Sequence, residues 1–193
     1  MLSATDNALF TQTGPRTGMG DVFRRFWIPA CLVEEINEPD QPPKRLTLLG
    51  ESLLIFRQSD GQIGLIEPRC PHRGADLYWG RNEECGLRCV YHGWKFTADG
   101  QCVDIPNMAP GTQRDAMIKS VRLTTYPVVE QGNIVWTYLG PGTPPPFHGF
   151  EFCKVSIKTC LAPVCEKFTK TIVRSGLTKM ARLTTKFLNI LPA

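Results

Sequence analysis

Two short stretches carry residues able to hold a metal. "CPHRGADLYWG" over 70–80 sets Cys70 and His72 one residue apart, and "CVYHGWKF" over 89–96 sets Cys89 and His92 two residues apart. Sixteen residues separate His72 from Cys89. Two thiols and two imidazoles delivered by two tight loops satisfy one tetrahedral zinc ion. They equally satisfy a two-iron, two-sulfide cluster in which one iron takes both thiolates and the other both imidazoles. In that arrangement Cys70 and Cys89 bind the inner iron, and His72 and His92 the outer one. Gly74 and Gly93 follow closely on the histidines, where each loop must turn sharply and let backbone N–H groups approach sulfur.

The elements around these loops read as strands. "RLTLLG" and "SLLIFRQ" form a hairpin turning at Gly50 and Glu51, and "SDGQIGLIEP" adds a strand after the Asp60–Gly61 turn. Between the two pairs lies mostly loop with one short strand, "LRCV". "KFTADGQCVDI" is a hairpin with Asp99–Gly100 at its tip, "NMAPGTQRDAM" an irregular loop, and "VRLTTYPVVE" and "NIVWTYLG" flank a "QGN" turn. Strand runs at short, regular spacing predict a mainly β domain of small antiparallel sheets over 43–139, with both Cys/His pairs on connecting loops. Residues 1–42 form an N-terminal segment and the proline-rich 140–152 a connector. Residues 153–193 make a basic tail of low structure or a single amphipathic helix, too poor in large apolar groups for a complete domain.

Length, charge and cysteine usage narrow the class. At 193 residues the chain buries a real core without disulfide staples. It shows no basic, apolar leader and no run of about 18 apolar residues, so neither export nor a membrane span is expected and the cytoplasm is the default compartment. Eight cysteines then read as thiols or metal ligands. The net charge of +4 divides unevenly: residues 1–153 carry −3 and residues 154–193 carry +7. Basicity confined to the tail does not support a nucleic-acid-binding surface on the body.

The stretch "RCPHRGADLYWGRNEECGLRCVYHGWKFTADGQCVDIP" resembles the Rieske domain of ring-hydroxylating oxygenases, most of all the phthalate dioxygenase-type components. "MGDVFRRFWIPACLVEEINEPDQPP" upstream is similar to the N-terminal stretch of the same group, so the resemblance covers about residues 14–150. Ala75 and Tyr91 stand where the Rieske proteins of respiratory and photosynthetic complexes carry disulfide cysteines, which points to the lower-potential oxygenase and ferredoxin type. Around the ligands, Arg73 either stabilises the reduced cluster or ties down its loop. Tyr91 and Trp94 either shield the cluster and donate hydrogen bonds or simply pack. Cys85 and Cys102, without partner histidines, read as packing residues or idle thiols.

The resemblance implies an NAD(P)H-dependent oxygenase. A flavin and iron-sulfur reductase passes single electrons to the [2Fe-2S] cluster, and a mononuclear iron uses them to insert O₂ into an aromatic acid. The family assembles as homo-oligomers, and His92 is the ligand facing that iron through a neighbouring subunit's carboxylate. Such an iron takes two histidines and a carboxylate. The sequence holds three histidines, and after His72 and His92 only His148 in the proline-rich stretch is left. The mononuclear site is therefore expected to be missing. Either the oxygenase sequence is truncated or frame-shifted near 153, or the chain is a short Rieske ferredoxin-like carrier.

Overall fold

Short apolar runs broken by turn residues set the architecture. The computed structural model describes residues 3–149, so the expectations for the basic tail lie outside the described residues. Two helices come first, α1 (Ala4–Thr11) and α2 (Gly18–Phe23), then β1 (Trp27–Leu32). β2 (Lys44–Leu48), β3 (Glu51–Arg57) and β4 (Ile63–Ile66) form a sheet in that order. β5 (Arg81–Asn82), β6 (Leu87–Arg88), β7 (Lys95–Phe96) and β8 (Cys102–Asp104) form a second. α3 (Thr112–Ser120) precedes β9 (Val128–Gln131) and β10 (Ile134–Tyr138), which join β1 in a third sheet ordered β1-β10-β9. The described residues are thus mainly β, in three small sheets. No helix among them is long and apolar enough to cross a membrane.

The chain divides into two compact units. Among the described residues, one comprises 3–33, Thr47–Glu51 and 129–149. In it the N-terminal stretch contributes a strand: β1 pairs antiparallel with β10, Trp27 opposite Tyr138 and Leu32 opposite Ile134. Arg24, only 9% exposed, makes an ion pair with Glu51 at 2.6 Å and donates to the Leu49 carbonyl at 3.0 Å. The proline-rich stretch is held here as well. Trp27 Nε1 donates to the Pro145 carbonyl at 2.8 Å, and Phe147 packs edge-on against Trp27 with ring centroids 5.4 Å apart.

The other unit comprises Glu34–Leu46 and Ser52–Val128. Its core is built from Leu54, Phe56, Ile66, Leu77, Leu87, Phe96 and Ile105, all essentially sealed from solvent. At about 1.5–3 kcal/mol for each large apolar side chain, these anchors stabilise strands too short to hold by their ladders alone. Cys70, Cys89, Trp94 and Cys102 belong to the same cluster.

Three local expectations change. The β2–β3 turn is made by Leu49 and Gly50, with φ of 46° and 78°, and Glu51 already belongs to β3. The primed turn, which twists with the strands, needs positive φ at both central positions. The stretch "NMAPGTQRDAM" runs into α3 instead of staying irregular. That helix buries none of its residues, so it leaves no apolar period to read; Asp115 in its first turn and Lys119 in its last suit the helix dipole. Finally, "VRLTTY" makes only isolated bridges, Ile66 with Thr125 and Gln101 with Arg122.

Candidate metal centre

The two Cys/His loops share one hydrogen-bond frame. In the first, the Cys70 N–H donates to the Ala75 carbonyl at 2.9 Å, and the Gly74 N–H donates back to the Cys70 carbonyl at 2.8 Å. In the second, the Cys89 N–H donates to the Trp94 carbonyl at 2.8 Å, and the Gly93 N–H to the Cys89 carbonyl at 3.0 Å. Cysteine, glycine four residues on and acceptor five residues on therefore repeat in both, and both glycines sit at positive φ, 68° and 75°. The glycine N–H groups go to carbonyls. The N–H groups that reach the Cys70 sulfur are those of His72 and Arg73.

Strand ends position these loops. The first leaves β4 through the Arg69–Asp76 bridge and closes on a short 3-10 turn, Leu77–Trp79, capped by Asp76 accepting from the Tyr78 N–H at 3.0 Å. The second spans β6 to β7: Cys89 leaves the ladder directly after Arg88, which shortens the expected "LRCV" strand to two residues.

The donors meet as two pairs. Cys70 and Cys89 are each 2% exposed and belong to one buried cluster. The imidazoles of His72 and His92 lie with centroids 4.4 Å apart. Burial, with Cys89 adding to it, pushes the Cys70 thiol up to about 11 against the opposing His72 and Arg73 N–H groups, so binding a metal there must expel its proton. His72 is held below its ordinary value, first by burial and then by the charges of His92 and Arg73. It is neutral near pH 7, the form that ligates metals.

His72 Nδ1 is buried without a hydrogen-bond partner. An orphaned imidazole nitrogen beside two buried thiols fits a metal-bound group, since a buried polar atom is otherwise costly to leave unpaired. A thiol pair and an imidazole pair are what a [2Fe-2S] cluster with mixed ligands requires.

The remaining expected residues fall around these four. Trp94 is buried and stacks on His72 with centroids 4.5 Å apart, its Nε1 donating to Asn107 Oδ1 at 2.8 Å. Tyr91 is exposed and leans over His92 at 3.9 Å between centroids. Arg73 is exposed and makes no ion pair among the described residues. Cys102 packs in the core, and Cys85 sits on the β5–β6 turn; the five cysteines of the described residues are all free thiols. His148 is exposed.

Arg69, Arg88, Asp104 and Asn107 escaped the sequence reading. Arg88 donates to Glu83, to Asp104 and to the Gly93 carbonyl, and Arg69 to the Gly74 carbonyl. A signal for the two arginines exists in the sequence: each cysteine is preceded by arginine and followed four residues later by glycine.

Comparison with known proteins identifies the domain that carries these loops. Residues 26–127 match the Rieske [2Fe-2S] domain. The oxygenase subunit of 3-chlorobenzoate-3,4-dioxygenase from Comamonas testosteroni is 48% identical over 72% of the chain and 32% of its own length. That of phthalate 4,5-dioxygenase from Pseudomonas putida is 40% identical over 84% of the chain and 38% of its own length. The chain thus spans about a third of these curated relatives. Among solved structures, the reduced complex between oxygenase and ferredoxin in carbazole 1,9a-dioxygenase superposes with a TM-score of 0.56 at 36% identity, over 72% of this chain and 32% of that one. Paired loops, paired donors and a matched domain converge: the chain belongs to the Rieske [2Fe-2S] domain family.

Proposed function

We propose that this chain is the electron-accepting Rieske portion of a ring-hydroxylating oxygenase component, with Cys70 and Cys89 on one iron and His72 and His92 on the other. The observation that carries the ligand assignment is the doubled loop frame, which sets a buried thiol pair beside an imidazole pair containing one unpartnered nitrogen. When bound, a [2Fe-2S] cluster supplies reversible one-electron chemistry. The protein's share is structural and electrostatic. The thiols are sealed from water, Trp94 covers one face of His72, and His92 sits beneath an exposed tyrosine.

The oxygenase context rests on the relatives, which are oxygenase subunits of aromatic-acid dioxygenases. In that context a flavin and iron-sulfur reductase, drawing on NAD(P)H, is the donor, a homo-oligomer the assembly, and an aromatic acid the substrate. Within the 193 residues only His148 remains beyond the cluster pair, so a two-histidine mononuclear site is not assembled from this sequence. Electron carriage is then the activity assigned to these residues, in the cytoplasm. It is the same activity whether the residues act in an oxygenase or as a ferredoxin-like carrier.

The test is iron, zinc and acid-labile sulfide on the purified protein, with the EPR spectrum of its reduced form. Equal iron and sulfide with a Rieske-type spectrum is expected. Stoichiometric zinc without sulfide overturns the cluster, and an unchanged spectrum in His92→Cys overturns the ligand assignment.

A further inference from the structure

The arginine before each cysteine reaches across its own loop. Arg88 precedes Cys89, and its Nη1 donates at 2.8 Å to the carbonyl of Gly93, five residues on. Arg69 precedes Cys70, and its Nη1 lies 3.3 Å from the carbonyl of Gly74, also five residues on. The two loops therefore carry the same closure, from residue to glycine, at the same spacing.

The closures differ in what stands behind them. Arg69 is exposed, and its contact is long and single. The Arg88 side chain is 18% exposed and is held by two carboxylates, Glu83 at 2.9 Å from Nε and Asp104 at 2.8 Å from Nη1. Asp104 is fixed in turn by Arg114 of α3, whose Nη2 lies 2.5 Å from its other oxygen and whose Nε donates to the Ile105 carbonyl at 3.1 Å. A guanidinium fork that spans two carboxylates and a carbonyl has a single orientation, which an ammonium cannot reproduce.

We propose that Arg88, anchored by Asp104, is the positioning residue for the second cluster loop, and that Arg69 is a dispensable counterpart on the first. The proposal rests on the ligand assignment above. The Gly93 carbonyl belongs to the peptide joining Gly93 to Trp94. Pinning that peptide fixes His92 on one side and, on the other, the indole that stacks on His72. One guanidinium thus sets both imidazoles without touching either.

The experiment uses the full chain with its cluster loaded. The rate of cluster loss to an iron chelator is read by visible absorbance, beside the reduced-state EPR spectrum and the midpoint potential. Arg88→Gln and Asp104→Asn are expected to speed cluster loss by about 10-fold to 100-fold, as loss of a partner supporting metal ligands does, and to shift the EPR signature. Arg69→Gln is expected to stay within about twofold of the parent, as an exposed contact should. Arg88→Lys keeps the charge without the fork and is expected to behave as Arg88→Gln.

Parental rates in both Arg88→Gln and Asp104→Asn overturn the proposal. So does an Arg69→Gln as impaired as Arg88→Gln, or full rescue by lysine, which leaves charge alone as the cause. Should Arg88→Gln fail to fold, Asp104→Asn against Arg69→Gln decides the matter. A parent protein without sulfide or a Rieske spectrum refutes the ligand assignment instead, so the two failures are distinguishable.

Discussion

The indole of Trp94 lies flat on the imidazole of His72, centroids 4.5 Å apart and planes parallel, and is held there by Asn107 Oδ1 at 2.8 Å from its Nε1. The stack shields one histidine from water, and the hydrogen bond fixes the indole that makes it. Trp94→Phe keeps a ring but abandons Asn107, for an expected loss of roughly 1–2 kcal/mol. Trp94→Ala opens a cavity at a buried site and is expected to cost roughly 3–5 kcal/mol. Urea unfolding of the cluster-loaded protein measures both. In a double-mutant cycle Asn107→Ala should add little to Trp94→Phe, because the first substitution already removes the bond. Full additivity contradicts the anchoring role.

Gly74 and Gly93 occupy the same place in the two loop frames, but their surroundings differ. Both have positive φ, so alanine at either costs roughly 1–2 kcal/mol of backbone strain. A Cβ at Gly74 meets nothing within 4 Å, whereas one at Gly93 falls 2.7 Å from Pro106 Cγ, in a ring with little room to move. Gly93→Ala is therefore expected to be the more damaging by roughly 1–3 kcal/mol, the ordinary scale of overpacking. Thermal unfolding of the two variants side by side checks the order. Equal losses would show that Pro106 yields.

The two Cys/His pairs that the fold brings side by side were legible as candidates because chemistry restricts which residue types bind metals, and such a pair on a tight loop survives any uncertainty about strands around it. Strand runs such as "SLLIFRQ" were legible for the same reason that they fold: buried side chains leave unbroken apolar stretches. Arg88 was not. Its value lies in contacts with Glu83, Asp104 and a carbonyl that only the folded β6–β8 sheet brings together, and a lone arginine carries no periodic signal. α3 was hidden because it buries nothing, and the Leu49–Gly50 turn because a buried leucine, 2% exposed, occupies a position that usually takes asparagine or glycine.

The β5–β6 turn stores strain that can be released. Glu84 and Cys85 take φ of 48° and 56°, closing a primed turn through the Glu83 N–H on the Gly86 carbonyl at 2.9 Å. Neither residue type suits that backbone. Cys85→Gly is expected to stabilise the protein by roughly 0.5–1 kcal/mol, the relief at positive φ exceeding the added freedom of the unfolded chain. The bond from the Cys85 N–H to Ser59 Oγ, 2.9 Å, needs no side chain and survives. Chemical denaturation compares parent and variant; a destabilised variant would show that the thiol packs usefully at the turn.

Asp76 closes the first cluster loop and should give it an acid limit. Its Oδ2 accepts from Arg45 at 2.8 Å, its Oδ1 from the Tyr78 N–H at 3.0 Å, and the Arg45 guanidinium lies over the Tyr78 ring at 4.7 Å. Burial works to raise the carboxyl. The Arg45 and Tyr78 hydrogen bonds, with the charges of Arg45 and Arg69, outweigh it and hold the group below the usual carboxylate value. A depressed folded pKa contributes stability that is present above the unfolded value, about 3.9, and is lost as pH falls through the folded one. Asp76→Asn retains an oxygen for the Tyr78 N–H but loses the charge. It is expected to cost up to about 1 kcal/mol at pH 7, since Arg45 is partly exposed, with the deficit shrinking toward zero as pH falls through the depressed folded value. Asp76→Ala removes the cap too and should cost roughly 1–2 kcal/mol at pH 7. Urea midpoints measured from pH 7 down to the acid transition decide it: a deficit in Asp76→Asn that stays constant with pH would mean the carboxylate charge contributes nothing to the loop.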